Sequence, residues 1–565
     1  MNRPHRWEKS YPPGLDWGTP IATSTLPELL DKAVAAYADR SAIDFRDQKV
    51  SYRRFGEDSA RAGGAFAGLG IGPGVTIALY LSNTPWHPVA LFGAARTGAR
   101  VVHLSPLDAE RELVHKLKDS GARTLVTTNA HPLLPMALKL KAAGHVDRVI
   151  IGDDATFGAG PTPPLPYTMD AATLSFDRLI AESAPMAQGP GVAKDDVLLL
   201  QYTGGTTGLP KAAMLTHANL TAAVSIYEAW FSGQRASRPG QERVLCVLPL
   251  FHIYGLTAVF MRHINNGNEV LLRTRFDMDA ILRDIEEKKV TFFPGVPTMW
   301  IAFLNHPDIA KRDLSSLRVC SSGGAPLPVE IAEQFERLTG LPLRNGWGLT
   351  ETSPAATTAP LDAKVPAGSC GLPQPGIVVD VVSPDEPTRV LGPNEIGELR
   401  VTGPNVMQGY WNRPEENQRV FADGGFLTGD VGYMDENGFV FVVDRKKDMI
   451  ISGGFNVYPR AIEDAIYEHA DVEEVIVIGV PDAYRGEAAK AFVKLKRGAP
   501  ALTLDGLREF LADKVGRHEM PAALEIRDAL PRTGVGKLSK KELIEEERAK
   551  AAAMANARTL SSGRS

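Results

Sequence analysis

The run 202–211, Tyr-Thr-Gly-Gly-Thr-Thr-Gly-Leu-Pro-Lys, gathers three glycines, three threonines and a lysine into ten residues. Glycines let a backbone turn its N–H groups toward an anion, hydroxyls add donors, and an ammonium adds charge. The chemistry open to Thr203, Gly204, Gly205, Thr206, Thr207, Gly208 and Lys211 is therefore phosphate binding. The spacing is not that of the common P-loop, where lysine follows glycine directly and a helix starts there. Leu209 and Pro210 intervene, and Pro210 delays the helix. Taken alone, the run reads equally well as a mobile glycine turn.

Further runs carry chemistry-capable residues, each with a plain structural alternative. In 345–352, Asn345, Gly346, Trp347, Gly348, Thr350 and Glu351 offer a flat ring for stacking, a hydroxyl for a phosphate oxygen and a carboxylate for magnesium. A Gly-rich turn with a buried Trp is the alternative. Gly323, Gly324, Ala325 and Pro326 form a turn that lets a flat base lie close to bare backbone. Asp430, after Thr428 and Gly429, can accept from both hydroxyls of a ribose, or can be a surface turn residue. His252 sits among apolar neighbours in 249–255, where a packed core histidine is the commoner case. Lys537 follows Gly534 and Gly536, just before a capping box at Ser539 and Glu542. It is placed to neutralise a carboxylate and a phosphate as they react, or is one more surface lysine.

These residues need elements to hold them. An apolar stretch at 197–200 reads as a strand entering the first run. Leu220, Ala223, Val224 and Tyr227 recur at helical spacing after it. Thr25 and Glu28 open an amphipathic helix as a capping box. Strands at 75–81 and 124–127 alternate with helical stretches, which implies crossover units and a largely parallel sheet. From Val378 the texture becomes short strands and tight turns, with Asn437-Gly438 marking a hairpin. After the charged segment 444–448, a helix at 459–468 and strands at 475–478 and 492–496 read as a small α+β domain.

With 565 residues the chain exceeds one core, and two or more domains are expected. Composition is globular, 44% hydrophobic and 23% charged, and a net charge of −5 gives no case for nucleic acid as partner. No stretch is long and apolar enough to span a bilayer, and the N-terminus lacks the apolar core of a secretory signal. Cys246, Cys320 and Cys370 show no metal spacing and read as buried thiols of a cytoplasmic protein. Peripheral membrane contact stays open, as does the choice between monomer and homodimer.

In their order along the chain, these segments resemble the adenylate-forming superfamily of acyl-CoA synthetases, firefly luciferases and peptide-synthetase adenylation domains. The matching segments are 203–211, 249–255, 322–326, 345–351, 428–430, 444–454 and 531–537. The bacterial medium- to long-chain fatty-acid–CoA ligases, or dicarboxylate (pimelate-type) ligases, are the most similar branch. The resemblance implies an α/β fold in which residues 1–444 form a large AMP-binding domain with mixed and parallel sheets and a small β-barrel-like part. Residues 445–548 would be a mobile α+β domain and 549–565 a disordered tail. It implies ATP, magnesium and CoA. A carboxylate attacks the α-phosphate, and the thiol of CoA then displaces AMP.

Roles come with the same resemblance. The 203–211 run would hold the departing pyrophosphate. Gly323 to Pro326 and Trp347 would sandwich adenine, with Asn345, Gly346 and Gly348 beside them. Asp430 and Arg445 would hold the ribose. Thr350, Glu351 (with the metal), His252 and Lys537 would act on the reacting groups. Lys447 would be the hinge, Ser452, Gly453 and Gly454 the CoA-side residues, and Tyr254, Gly295, Val296 and Pro297 the acyl pocket, with Trp300 and Thr352 nearby. Two positions depart from the commonest pattern. Trp347 replaces a frequent Tyr, which puts the hydrogen bond of that phenol in doubt, and Lys447 replaces a frequent Asp. An enzyme loading a carrier protein, a luciferase-like oxygenase and a silent nucleotide-binding scaffold are the alternatives.

Overall fold

The computed structural model describes residues 4–189, 191–203, 210–452, 455–482, 485–533 and 537–550. Two large sheets organise the chain up to residue 373. One has seven strands in the order Thr173–Ser175, Arg148–Gly152, Thr124–Thr128, Thr76–Tyr80, Arg100–Leu104, Val197–Thr203 and Lys211–Thr216. All neighbours are parallel except the last pair. Its strands are apolar on both faces, Leu198, Leu199 and Leu200 being fully buried, because helices cover a parallel sheet on both sides.

The second sheet has nine strands. Its parallel middle runs Leu343–Trp347, Val319–Ser322, Phe292–Gly295, Arg243–Cys246, Glu269–Leu272 and Ser41–Phe45, with antiparallel edges. The expected capping box at Thr25 is present: the Glu28 N–H donates to Thr25 Oγ1, and Glu28 Oε2 accepts from the Thr25 N–H at 2.9 Å. The helix His217–Gly233 does not follow the glycine run directly, as the sequence reading has it. The strand Lys211–Thr216 stands between them, and Thr216 caps the helix by accepting from the Asn219 N–H at 3.0 Å. Pro210 thus precedes a strand rather than a helix turn.

Strands Val378–Val382, Gly397–Thr402, Phe421–Ala422, Gly425–Met434 and Val440–Arg445 make a five-stranded antiparallel sheet. Gly438, at φ +87°, closes the hairpin marked by Asn437-Gly438. One apolar core joins both large sheets to this one and ends at Val440, with Phe441 and Val442 packed against it. Separate clusters begin at Ile450 and hold the C-terminal strands Val472–Asp482 and Gly486–Leu495 against the helices Pro459–Tyr467 and Leu504–Leu511. Among the described residues, no apolar cluster spans the two. The tail beyond Lys550 lies outside the described residues. Among the described residues, no helix is long and apolar enough to cross a membrane. Cys246, Cys320 and Cys370 are free and buried.

Candidate active site

Ligands of open α/β sheets bind beyond the carboxyl ends of the strands. Here Val197–Thr203 ends at the glycine run, Val319–Ser322 at Gly323-Gly324, and Leu343–Trp347 at Gly348. Between these ends and the C-terminal unit lies a cavity of about 990 Å³. Thr203, Lys211, His252, Tyr254, Gly323, Gly324, Thr350, Glu351, Arg445, Lys447 and Lys537 all line it. A smaller one of about 370 Å³ adjoins it, lined by Ala325, Pro326 and Asp430. Asn345, Gly346, Trp347, Gly348, Arg445 and Lys537 line both.

Lys537 reaches this place from the far unit. Its loop is closed on itself: the Thr533 N–H donates to the Lys537 carbonyl at 2.7 Å, and the Lys537 N–H donates to Thr533 Oγ1 at 3.2 Å. The side chain crosses Gly324, where a Cβ would lie 2.8 Å from Lys537 Cε, and φ of +77° also demands glycine. Burial, with help from the Arg445 charge, lowers the Lys537 ammonium to about 8. Burial, and then the charge of Lys537, lowers His252 to about 3, so its imidazole is neutral near pH 7. His252 Nδ1 accepts from the Tyr254 N–H at 3.3 Å, and the residue before it is tied to a buried amide. Gln201 Nε2 donates to the Phe251 carbonyl at 2.8 Å, and His103 Nδ1 lies 3.0 Å from Gln201 Oε1.

Asp430 lies in the strand Gly425–Met434, not in an exposed turn, and is 2% exposed. The Trp347 indole N–H donates to its Oδ2 at 2.7 Å, and Arg445 Nε lies 2.5 Å from its Oδ1. Burial pushes the Asp430 carboxyl up against the opposing pull of Arg445, while Asp430 pushes the guanidinium up. Trp347 therefore does supply a hydrogen bond, through its indole and to the residue expected at the ribose. Lys447 follows in a turn where the Asp448 N–H donates to the Arg445 carbonyl at 3.0 Å, and burial lowers its ammonium.

Glu351 is buried, and its Oε1 accepts from the Tyr410 hydroxyl at 2.6 Å. The second oxygen has no protein partner among the described residues, and Glu351 lines the cavity. Among the described residues, no group of three His, Cys, Asp or Glu could cage a metal. Magnesium characteristically takes one or two carboxylates plus substrate phosphates, and a single half-free Glu351 lining the same cavity as Thr203 and Lys211 fits it. Lys211 pairs with Glu416 and lies 4.6 Å from the centre of the Tyr410 ring. Tyr410 thus touches both Lys211 and Glu351.

Gly204, Gly205, Thr206, Thr207 and Gly208 lie outside the described residues, but their flanks Thr203 and Lys211 are register partners across the hairpin. Gly453 and Gly454 also lie outside. Ser452 is buried and lines neither cavity. The residues expected in the acyl pocket do not share one cavity. Tyr254 lines the large cavity, but Val296 and Pro297 line the smaller one, and Gly295 lines neither, packing on the Trp300 indole. Trp300 and Thr352 are fully buried and line neither. Instead Tyr227, Ala258, Val259, Arg262 and Arg344 complete the large cavity. Sequence reasoning missed these residues and Tyr410. An arginine inside the apolar run 256–264 and the Gly409-Tyr410-Trp411 run were the available signals.

Two family models match this chain: the AMP-binding enzyme family over residues 30–411, and the AMP-binding enzyme C-terminal domain over residues 461–537. The chain belongs to the AMP-binding enzyme family. A long-chain-fatty-acid–CoA ligase of Bacillus subtilis is 39% identical over 554 residues, 96% of this chain and 98% of that one. A feruloyl-CoA synthase of an Amycolatopsis species is 37% identical over 89% of this chain and 95% of its own. Among solved structures, ATP-bound MatB from Rhodopseudomonas palustris superposes with a TM-score of 0.82 at 28% identity, covering 93% of this chain and 99% of that one. In this AMP-binding enzyme, one chain contributes both the large and the small unit.

Proposed function

We propose that this AMP-binding enzyme is an ATP-dependent acid–thiol ligase that joins a fatty acid to coenzyme A through an acyl-adenylate. The observation that carries this reading is the placement of Lys537. One lysine from the smaller unit stands over Gly324 and lines a single cavity with His252, Glu351, Arg445 and the flanks of the glycine run. Adenylation brings a carboxylate against a phosphate, and the main physical demand is to offset charge where two anions meet. Lys537 would supply a cation at that point. Its lowered ammonium is regained when anionic groups replace water around it.

Trp347 and the bare backbone at 323–326 would enclose adenine in the smaller cavity. Asp430, oriented by Trp347 and Arg445, would accept from the ribose hydroxyls. Thr203, Lys211 and the run between them would hold the leaving pyrophosphate, and Thr350 would donate to a phosphate oxygen. Magnesium, when bound, neutralises phosphate charge, and Glu351 is the residue that would hold it. Neutral His252, whose Nδ1 is taken by the Tyr254 N–H, would order the carboxylate without adding charge. For the thioester step the unit after residue 444 would rotate about Lys447, withdrawing Lys537 and bringing residues 452–454 toward the thiol.

The names of the full-length long-chain-fatty-acid–CoA ligases favour a long-chain fatty acid, and cytoplasmic supply of ATP and CoA fits the reading. The test is a panel of mono- and dicarboxylates with ATP, magnesium and CoA, following pyrophosphate, AMP and thioester. Equal release of all three is expected. Acyl-AMP without any CoA product would transfer the assignment to an enzyme that loads a carrier protein. Absence of pyrophosphate with every acid would end the ligase reading.

A further inference from the structure

One wall of the large cavity is the π-helix Tyr254–Met261, which starts with Tyr254 packed on Gly323 and is continued by the short helix Arg262–Asn265. Tyr254, Ala258, Val259 and Arg262 line the cavity along it. Eight residues at helical rise carry the lining on the order of 10 Å from the His252 end. The lining there is apolar up to Arg262, whose side chain is 3% exposed.

A buried guanidinium normally spends its five donors on protein acceptors. Arg262 does not. Its Nη1 makes one long contact, 3.4 Å to His263 Nε2, and its Nε has no hydrogen-bond partner. Glu228 Oε2 is 3.8 Å from Nε, too far for a hydrogen bond, and that carboxylate already accepts from Asn266 Nδ2 at 2.5 Å and from Ser232. Glu242 is likewise taken, by Arg318 and Thr291. The plane of Arg262 is fixed instead by stacking, 3.9 Å from the centre of the Phe231 ring. Glu228 therefore balances the charge of Arg262 at a distance but takes none of its hydrogen-bond donors.

One neighbour, Tyr227, shares the condition. Tyr227 lines the cavity, and its hydroxyl has no hydrogen-bond partner among the described residues; burial pushes that phenol up, against the pull of the Arg262 charge. Arg344 lines the same cavity. It donates through Nε to the Leu361 carbonyl at 2.9 Å and through Nη2 to the Leu361 and Ala363 carbonyls, so backbone takes most of its donors, and among the described residues no carboxylate pairs with it. Donors without acceptors, set in an apolar wall, are complementary to an oxygen that arrives with the ligand.

We propose that the acyl end of the cavity selects carboxylic acids bearing an oxygen at the end remote from the reacting carboxylate, which accepts hydrogen bonds from Arg262 and Tyr227. This rests on the ligase reading above and names the substrate class for it. A terminal hydroxyl and a second carboxylate both present such an oxygen. The guanidinium of Arg344 adds positive charge that favours the carboxylate, and the balance of Arg262 with Glu228 favours the hydroxyl.

The experiment compares three matched series on the full-length enzyme with ATP, magnesium and CoA: plain alkanoates, ω-hydroxyalkanoates and α,ω-dicarboxylates from about six to twelve carbons, lengths that span on the order of 10 Å. The readout is kcat/KM from pyrophosphate release. At the best length, one oxygenated series should exceed the plain acid by about tenfold or more. Which series wins identifies the source of the oxygen. Arg262→Met should bring the ratio to near unity or invert it, and Tyr227→Phe, which keeps the ring, should lower it in the same direction. Should Arg262→Met fail to fold, judged by its thermal transition, the wild-type panel and Tyr227→Phe decide. Plain acids equal to or better than oxygenated ones, or a preference unmoved by both variants, overturns the proposal alone. Silence with every acid overturns the ligase reading and this inference together.

Discussion

The Trp347 indole N–H donates to Asp430 Oδ2 at 2.7 Å, joining the residue expected to stack on adenine to the one expected to hold ribose. One side chain thus sets the wall of the smaller cavity and aims a carboxylate into it. Trp347→Phe keeps a ring but removes the donor. A hydrogen bond to a charged group contributes about 1.5–3 kcal/mol, so the KM for ATP should rise roughly ten- to a hundredfold in pyrophosphate exchange. An unchanged KM would show that Arg445 alone positions Asp430.

Lys537→Ala should slow acyl-AMP formation by about a hundredfold or more, while thioester formation from supplied acyl-AMP survives better. Equal loss in both half-reactions would remove Lys537 from the adenylation step.

The pH dependence rests on the same lysine. Lowered to about 8, Lys537 is charged below that pH and neutral above it. For the free enzyme, kcat/KM of adenylation should therefore fall as pH rises through about 8. Bound phosphates favour the ammonium, so the limb in kcat should lie at higher pH. His252, at about 3, is neutral throughout and should contribute no limb near the ordinary histidine value of about 6.5. A profile flat from neutral pH to well above the lysine limb would contradict this.

Tyr410→Phe removes the 2.6 Å hydrogen bond to Glu351. Residues that orient a metal ligand are typically worth about 10–100-fold in metal affinity. The magnesium concentration for half-maximal adenylation should rise by that order, with little change at saturating magnesium. No shift in the magnesium titration would separate Glu351 from the metal.

Lys447→Pro fixes a backbone angle in the segment joining the two units. Thioester formation should slow by about tenfold, roughly 1.4 kcal/mol of barrier, with a smaller effect on adenylation. Both rates unaffected would refute the hinge.

Much of this architecture is legible in the residues themselves. The strand before the glycine run, the capping box at Thr25 and the hairpin at Asn437-Gly438 each rest on local rules, and local rules survive folding. Trp347, Asp430 and Lys537 can be named because glycines mark places where backbone must come close. The strand Lys211–Thr216 is not legible, since Pro210 marks a stop but does not specify the next element. The expected acyl-pocket residues divide between two cavities because adjacency in sequence does not fix adjacency in space. Val296 comes after a strand end near the site yet turns to the other cavity, while Arg262, ten residues past His252, returns along a π-helix. Tyr410 comes to Glu351 because 408–411 pairs with the strand after the glycine run and the Met407 N–H donates to the Glu351 carbonyl at 2.8 Å, long-range contacts with no local mark.

The break in the apolar core between Val442 and Ile450 makes the joint a wet one. A polar contact crosses it, the Arg460 N–H to Asp444 Oδ2 at 3.0 Å, while Arg445 with Asp430 and Lys446 Nζ with Glu398 Oε2 at 3.0 Å line its near side. Swivelling the smaller unit would exchange ions and water and uncover no oily cluster. Dissolved salt, which screens exposed charges over about a nanometre, is then the natural throttle on that motion.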